Sequence, residues 1–268
     1  METNDALALD RPGSVCLTTA WLGRVDYPAA WARQRELFLA RLERDVEDAL
    51  LLLEHPHTYT LGRRGLADDL VWDEAMRAAR DIALFHVDRG GRATYHGPGQ
   101  LVGYPILELG ERYDVLAYLR KLEEALIRTA RELGVEAVRD PEHTGVWVGK
   151  DKIGAIGVKI TRGITMHGFA FNVATDLAMF EGIVPCGIQD RWVTSVESQT
   201  GKRLSLKEVG GIAAKHVAEV FGRALVWTHP RILLPPETPS HLELGVAESG
   251  NMTDCSITAM ADRVSTKA

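Results

Sequence analysis

Cysteine is scarce in this sequence. Cys16, Cys186 and Cys255 are the only three in 268 residues, far apart and without a CxxC pair. That spacing offers no disulfide framework and suits a reducing compartment, where a lone cysteine is either a packed apolar residue or a nucleophile. Long apolar runs are missing too: the longest, Ala49 to Leu53, is far too short to span a bilayer. Basic charge is not in excess. A formal net charge of -6 argues against wholesale nucleic-acid binding, which wants a basic footprint. The first thirteen residues carry acids and lack both the apolar centre of a secretion signal and the Arg/Ser richness of a transit peptide, so a cytoplasmic chain is expected. What is present, 46% hydrophobic and 25% charged residues, is the composition of a soluble globular protein that can bury a core without disulfides or metal.

Apolar spacing predicts strands at Val15 to Leu22, Ala49 to Leu53, Ile82 to Val87, Leu101 to Leu109 and Ile164 to Val173. Val146 to Val148 and Lys152 to Ile160 read as a hairpin around Gly149-Lys150-Asp151. Helices are expected from Ala29 to Arg44, and from the N-cap Asp114 to Leu133 with Gly134 as the stop. A last helix starts at the capping box Ser205-Leu206-Lys207-Glu208 and ends before Gly222. Strands outnumber helices and short turns join several of them. The fold class is therefore α+β, a mixed and largely antiparallel sheet with flanking helices. Residues 1–13 read as a flexible lead-in, 14–229 as one catalytic domain, and 230–268, rich in Pro, Ser, Thr and Glu, as a mobile extension.

Three segments stand out chemically. In Asp88-Arg-Gly-Gly-Arg-Ala-Thr-Tyr-His-Gly-Pro-Gly-Gln100, four glycines and a proline exclude a regular strand or helix on this reading. Glycines allow positive φ and close approach, so successive N–H groups can converge on an anion, with Arg89, Thr94, Tyr95, His96 and Gln100 adding donors. The alternative is a long surface turn, and composition does not separate the two. Lys152-Ile-Gly-Ala-Ile-Gly-Val-Lys159 reads as a strand with glycines where a ligand or another backbone comes close. Without a bulge, Lys152, Gly154, Ile156 and Val158 share one face and Ile153, Ala155, Gly157 and Lys159 the other, so the two lysines point opposite ways. An edge strand with two solvated lysines is the alternative. In Ile183-Val-Pro-Cys-Gly-Ile188, Pro185 fixes the approach to Cys186 and Gly187 leaves space beside the sulfur. A lone cysteine is more often packed than nucleophilic, and Cys16 and Cys255 take that reading. His55 and His57 lack a third ligand and make a weak metal site. His143 and His216 read as surface residues.

Together these segments resemble the lipoyl(octanoyl)transferase family. The likeness rests on Arg89-Gly-Gly through Thr94-Tyr-His96 to Pro98-Gly-Gln100 with Tyr104. Lys152-Ile-Gly-Ala-Ile-Gly157, His167-Gly-Phe-Ala-Phe-Asn172 and Pro185-Cys186-Gly187 follow in the family's order, and Glu54-His-Pro through Thr60-Leu-Gly-Arg63 matches an upstream motif. It spans roughly residues 15 to 225, and His57 and the long tail depart from the pattern. The resemblance implies the catalytic-domain fold of biotin- and lipoate-protein ligases. It implies transfer of octanoyl from acyl carrier protein to a lysine on lipoyl domains of 2-oxoacid dehydrogenases and the glycine cleavage H protein, with no cofactor, no metal, no nucleic acid and no membrane.

By the same likeness Cys186 carries the acyl thioester and Lys152 is its partner. Substrate binding falls to Arg89, Gly90, Gly91, Arg92, Ala93, Thr94, Tyr95, His96 and Gln100, to Ala155, Ile156 and Gly157, and to His167, Gly168, Phe169 and Ala170. A free thiol titrates near ~8.5, and a cation beside it favours the thiolate. Arg89, Arg92, Lys159, Arg162 and Arg191 are candidates to receive an acidic carrier. The rival readings are an ATP-dependent lipoate-protein ligase on the same fold, a cysteine acyl hydrolase using Cys186 with His96 or His167, and a non-catalytic lipoate-binding module.

Overall fold

The computed structural model describes residues 15–184 and 192–233 of the chain. In order, the elements are β1 (Cys16–Arg24), α1 (Tyr27–Leu42), β2 (Asp48–Glu54), β3 (Thr58–Leu61), α2 (Glu74–Ala78), β4 (Ala83–His86), β5 (Ala93–His96), β6 (Gln100–Ile106) and α3 (Val115–Glu132). Then come β7 (Val138–Arg139), β8 (Val146–Val148), β9 (Asp151–Thr161), β10 (Ile164–Asn172), α4 (Val196–Thr200), α5 (Leu206–Phe221), β11 (Ala224–Trp227) and α6 (Pro230–Leu233). The class is α+β, as expected. An eight-stranded mixed sheet runs β11-β1-β2-β6-β10-β9-β8-β7, and a three-stranded sheet runs β4-β3-β5. In the large sheet only β1 pairs in parallel, with β2 and β11; the other pairings are antiparallel.

The run of leucines in β2 reflects a central strand covered on both faces. Leu50 and Leu52 enter the core under α3 and α5; Leu51 and Leu53 enter the core under α1. Each is fully buried, a gain of roughly 1.5–3 kcal/mol per side chain. The α3 helix begins where Asp114 accepts hydrogen bonds from the Leu116 and Ala117 N–H groups, and Gly134 follows its end at φ 87°. The α5 helix starts after Ser205 and stops at left-handed Gly222, but the Ser205 hydroxyl makes no capping bond. Burial of Val209, Ala213 and Val217 against the sheet holds it instead.

The glycine-rich stretch contains a regular strand, contrary to expectation. Its glycines sit at 90, 91, 97 and 99, which leaves Ala93 to His96 free to extend as β5 and pair with β3. At the C-terminal side, Pro230–Leu233 forms a short helix whose Leu233 is buried in the α1 core, and Arg33 of α1 donates to the carbonyls of Ile232 and Leu233. The rest of the expected extension, the lead-in at 1–13 and Cys255 lie outside the described residues.

Candidate active site

β9 is the backbone of the site, and a bulge decides which side chains it presents. Against β8 the register reads Val148↔Asp151, Trp147↔Lys152 and then Val146↔Gly154, so Ile153 is an extra residue on β9. The bulge shifts the phase of the strand. Ile153 is buried in the α3–α5 core with Val158 and Ile156, whereas Lys152 joins Ala155 and Gly157 along a slot on the opposite face. Lys159, which strict alternation places opposite Lys152, shares its face. The expectation of two lysines pointing apart fails because of one inserted residue.

The slot has a volume of about 630 Å³, well within the range of small-molecule sites. Its floor is made by residues with almost no side chain: Ala155 and Gly157 on β9, Gly168 and Ala170 on β10. A Cβ on Gly157 would stand 3.0 Å from Arg89 Cδ. Ile156 and Phe169 also border the slot, although their side chains pack into the α3–α5 core.

β5 and the turn before it form a facing wall through Arg89, Gly91, Arg92, Ala93, Thr94 and His96. Strand alternation explains why Tyr95 stands off this wall. Its ring is fully buried against Tyr59 and Phe180, and its hydroxyl meets His57 Nδ1 at 2.7 Å. Gly90 is also off the wall, since its N–H ties the turn to the Val158 carbonyl at 2.9 Å. Gln100 lies behind His96 and borders a smaller cavity shared with Lys152.

Lys152 is nearly buried, with Nζ 4.6 Å from the centroid of the Trp147 ring, a cation–π contact. Gly145 makes room for it: a Cβ there would lie 2.7 Å from the Gly154 carbonyl oxygen and 3.3 Å from Lys152 Cε. The buried Glu123 of α3 accepts the Gly145 N–H at 3.0 Å and so fixes this loop. Cys186 lies in segment 185–191, outside the described residues. On its C-terminal side the chain meets Lys152 directly, with Lys152 N–H donating to the Trp192 carbonyl and Thr194 N–H to the Lys152 carbonyl.

His167 reaches the slot through a rare backbone conformation. At φ 57° it is left-handed, uncommon for a residue with a side chain. This turns the ring toward Trp31 and Tyr104 instead of the α3–α5 core, and Gln34 Oε1 accepts its N–H at 2.8 Å. Its Nε2 donates to Asp88 Oδ1 at 2.7 Å, while Lys159 Nζ meets Asp88 Oδ2 at 2.7 Å. These bonds, that from His167 first, hold the Asp88 carboxyl well below the usual range. Burial lowers His167, opposed by its bond to Asp88.

Burial likewise lowers His96, and it holds His55 at about 4. The Val25 carbonyl can only accept, so His55 Nδ1 donates to it at 2.6 Å, and His55 Nε2 accepts from the Tyr104 hydroxyl at 2.7 Å. Tyr27, stacked on His96, is pushed up to about 12 by burial. Tyr27, His96 and Tyr104, which border the slot, are thus neutral rings.

Several of the carrier-docking candidates do not fit that role. Arg89 is buried and clips the turn to β3, donating to the Thr60 carbonyl and hydroxyl at 2.8 and 2.7 Å. Arg92 pairs with Asp69, and Lys159 with Asp88. Arg162 sits at the far end of β9, about 30 Å along the strand from Lys152. Arg191 is outside the described residues. Arg64 and Leu66 border the slot instead, as do Glu142, His143 and Thr144 from the loop before β8. His143 is therefore no mere surface residue. Nor is His216, which is buried between Glu132 and Glu219 at 2.8 and 3.3 Å. Tyr27 and Tyr104 complete the wall; Tyr104 belongs to the sequence motif, and the glycine at 145 just before a strand is a signal for the loop at 142–144.

Among the described residues, no group of three His, Cys, Asp or Glu side chains could hold a metal, and no helix is long and apolar enough to cross a membrane. Residues 26–218 match the lipoyl protein ligase A/B catalytic domain. The chain belongs to that family. It is 51% identical over 201 residues to an octanoyltransferase of Solibacter usitatus, covering 75% of this chain and 90% of the other. It is 44% identical over 214 residues to an octanoyltransferase of Caldicellulosiruptor bescii, covering 79% and 94%. This member of the lipoyl protein ligase A/B family is accordingly an enzyme, an acyltransferase.

Solved lipoate protein ligases share its fold. A bi-partite lipoate protein ligase from Thermoplasma acidophilum superposes with a TM-score of 0.62 at 20% identity, covering 82% of this chain and 91% of that one. A lipoate-protein ligase A bound with ATP gives 0.63 at 18% identity, covering 83% and 93%.

Proposed function

We propose that the enzyme moves an octanoyl group from the thioester of an acyl carrier protein to the ε-amine of a lysine on a lipoyl domain, through a thioester on Cys186. This is the first step of endogenous protein lipoylation, and the acceptors are the lipoyl domains of 2-oxoacid dehydrogenases and the glycine cleavage H protein. The observation that carries the reading is a trough with an Ala and Gly floor that runs along β9 from Lys152, in a chain akin to proteins named octanoyltransferase. An octanoyl chain has about six methylenes to bury there, at roughly 0.8 kcal/mol each worth on the order of 5 kcal/mol.

In the first half-reaction the Cys186 sulfur attacks the carrier thioester. A new S–C bond forms, the carrier's S–C bond breaks, and the thiol proton goes to the departing sulfur. In the second, the lysine nitrogen attacks the Cys186 thioester, an N–C bond forms, the S–C bond breaks, and a proton from nitrogen returns to sulfur. Exchange between thioesters is nearly balanced and the amide is the more stable product, so ATP is not required. Lys152 favours the thiolate in the first half and, when neutral, accepts the amine proton in the second.

The oxyanion donor in this reading is Ile156 N–H. The Val158 carbonyl points away from β10, toward Gly90. In a regular strand residues two apart share that direction. Ile156 therefore turns its N–H to the same edge, beside the slot.

Incubation with octanoyl-acyl carrier protein will add one octanoyl mass, reversible by hydroxylamine and absent from Cys186→Ser. An adduct on Cys16 or Cys255 defeats the assignment. Adding a lipoyl domain will move the group to its lysine without ATP; a requirement for ATP points to the ligase reading, and release of free octanoate to the hydrolase.

A further inference from the structure

Behind the β5 wall, buried amide groups are strung in one direction. Asn172, the last residue of β10, lies opposite Gln100, the first of β6. Asn172 Nδ2 donates to the Thr194 carbonyl at 3.0 Å, and Gln100 Nε2 donates to Asn172 Oδ1 at 3.0 Å and to the Tyr95 carbonyl at 3.1 Å. Gln100 Oε1 lies 2.9 Å from His96 Nδ1. The polarity of this relay has only one solution. Backbone carbonyls accept and never donate, so Asn172 must turn its NH2 to Thr194 and Gln100 its NH2 to Tyr95. The Gln100 oxygen is left to accept, and His96 must carry its proton on Nδ1.

Thr194 links this relay to Lys152. Its N–H donates to the Lys152 carbonyl at 3.0 Å while Lys152 N–H donates to the Trp192 carbonyl at 2.9 Å. The β9–β10 pairing ends at Gly154↔Phe171, so at Lys152 the neighbour on that edge is the 192–194 segment, bridged at Val193. All of the relay is buried: Asn172 and Thr194 are 4% exposed and Gln100 1%. A cavity of about 30 Å³, room for one water, lies among Thr94, Gln100, Asn172 and Lys152.

We propose that Gln100 and Asn172 are positioning residues for Lys152, acting through Thr194. The proposal rests on the acyl-transfer reading above. A misplacement of Lys152 by an ångström would slow chemistry without emptying the slot, because the floor and the β5 wall do not depend on Asn172 Nδ2.

The decisive variant is Asn172→Asp, which keeps the shape but sets a carboxylate oxygen against the Thr194 carbonyl. Gln100→Glu is the second: it still accepts from His96 but no longer donates to Tyr95 or Asn172. We expect kcat for octanoyl transfer to fall on the order of 10²-fold in each, and KM for the acyl carrier thioester to stay within about twofold in Asn172→Asp. In the wild type, ¹⁵N NMR of the imidazoles will show His96 protonated on Nδ1, and Asn172→Asp will keep that tautomer because the Gln100–Tyr95 bond remains.

An Asn172→Asp enzyme with wild-type kcat overturns the proposal, as does a rise in KM at constant kcat or a wild-type His96 protonated on Nε2. Should Asn172→Asp fail to fold, Gln100→Glu decides by kcat: a wild-type value overturns the proposal. A wild type that moves no octanoyl group overturns the transfer reading and the positioning role with it. A transferring wild type whose two variants keep kcat overturns the positioning role alone.

Discussion

On the α3–α5 side of the large sheet, β9 and β10 present Ile156, Val158, Phe169 and Phe171. On the α1 side the same strands present Ala155, Gly157, Gly168 and Ala170. The first face fills space with large hydrocarbon groups; the second leaves space and borders it with buried polar rings. Stability and chemistry are thus assigned to alternate residues of single strands. A substitution on one face should disturb mainly one of the two.

Three changes test how far that separation holds. Phe171→Ala on the packed face should cost about 3–5 kcal/mol in urea unfolding, while octanoyl transfer per folded molecule stays within about threefold of wild type. Loss of both together would mean that the faces are not independent.

The slot face should show its own weakness in acid. His55 is neutral when folded, at about 4 instead of the ordinary 6.5. The unfolded chain therefore takes up the proton first as pH falls. The stability it contributes is complete above about 6.5 and is lost on the way down to about 4, a loss on the order of 3 kcal/mol. His55→Gln, which can still donate to Val25 and accept from Tyr104, should flatten the stability–pH curve across that window. An unchanged slope would assign the acid sensitivity to other groups.

The smallest expected effect is that of Ala155→Leu, which raises the floor of the slot. It should lower octanoyl transfer about 30-fold, roughly 2 kcal/mol in transition-state stabilisation, and leave the melting temperature nearly unchanged. A comparable loss with an acetyl donor would show that the added bulk does more than shorten the trough.

Much of this arrangement is legible in the residues. The α3 helix is written in its leucine spacing and its Asp114 and Gly134 ends, and the β2 leucines mark a strand covered on both faces. β5 is hidden because four residues between glycine pairs look like loop. The bulge is hidden for a deeper reason: Lys-Ile-Gly carries no mark of an unpaired residue, and only the β8 register reveals it. His167 is similar, since nothing local in Met-His-Gly announces a left-handed turn, which Gln34, far away in the chain, helps to hold. Most of the motif residues do gather at the slot. Tyr27, Arg64 and the 142–144 loop come from three separate segments that only the folded chain brings together.

Ile153 acts on its strand as an insertion acts on a reading frame. Upstream of it, each residue is displaced to the opposite side from the one that a simple count assigns. Straighten the strand with that isoleucine kept in line and the ammonium of Lys152 would arrive on the side where Leu126, Val146 and Phe171 crowd Gly154, an environment that offers a cation nothing but hydrocarbon. Lys152 thus owes its side of the sheet to a neighbour buried wholly on the other.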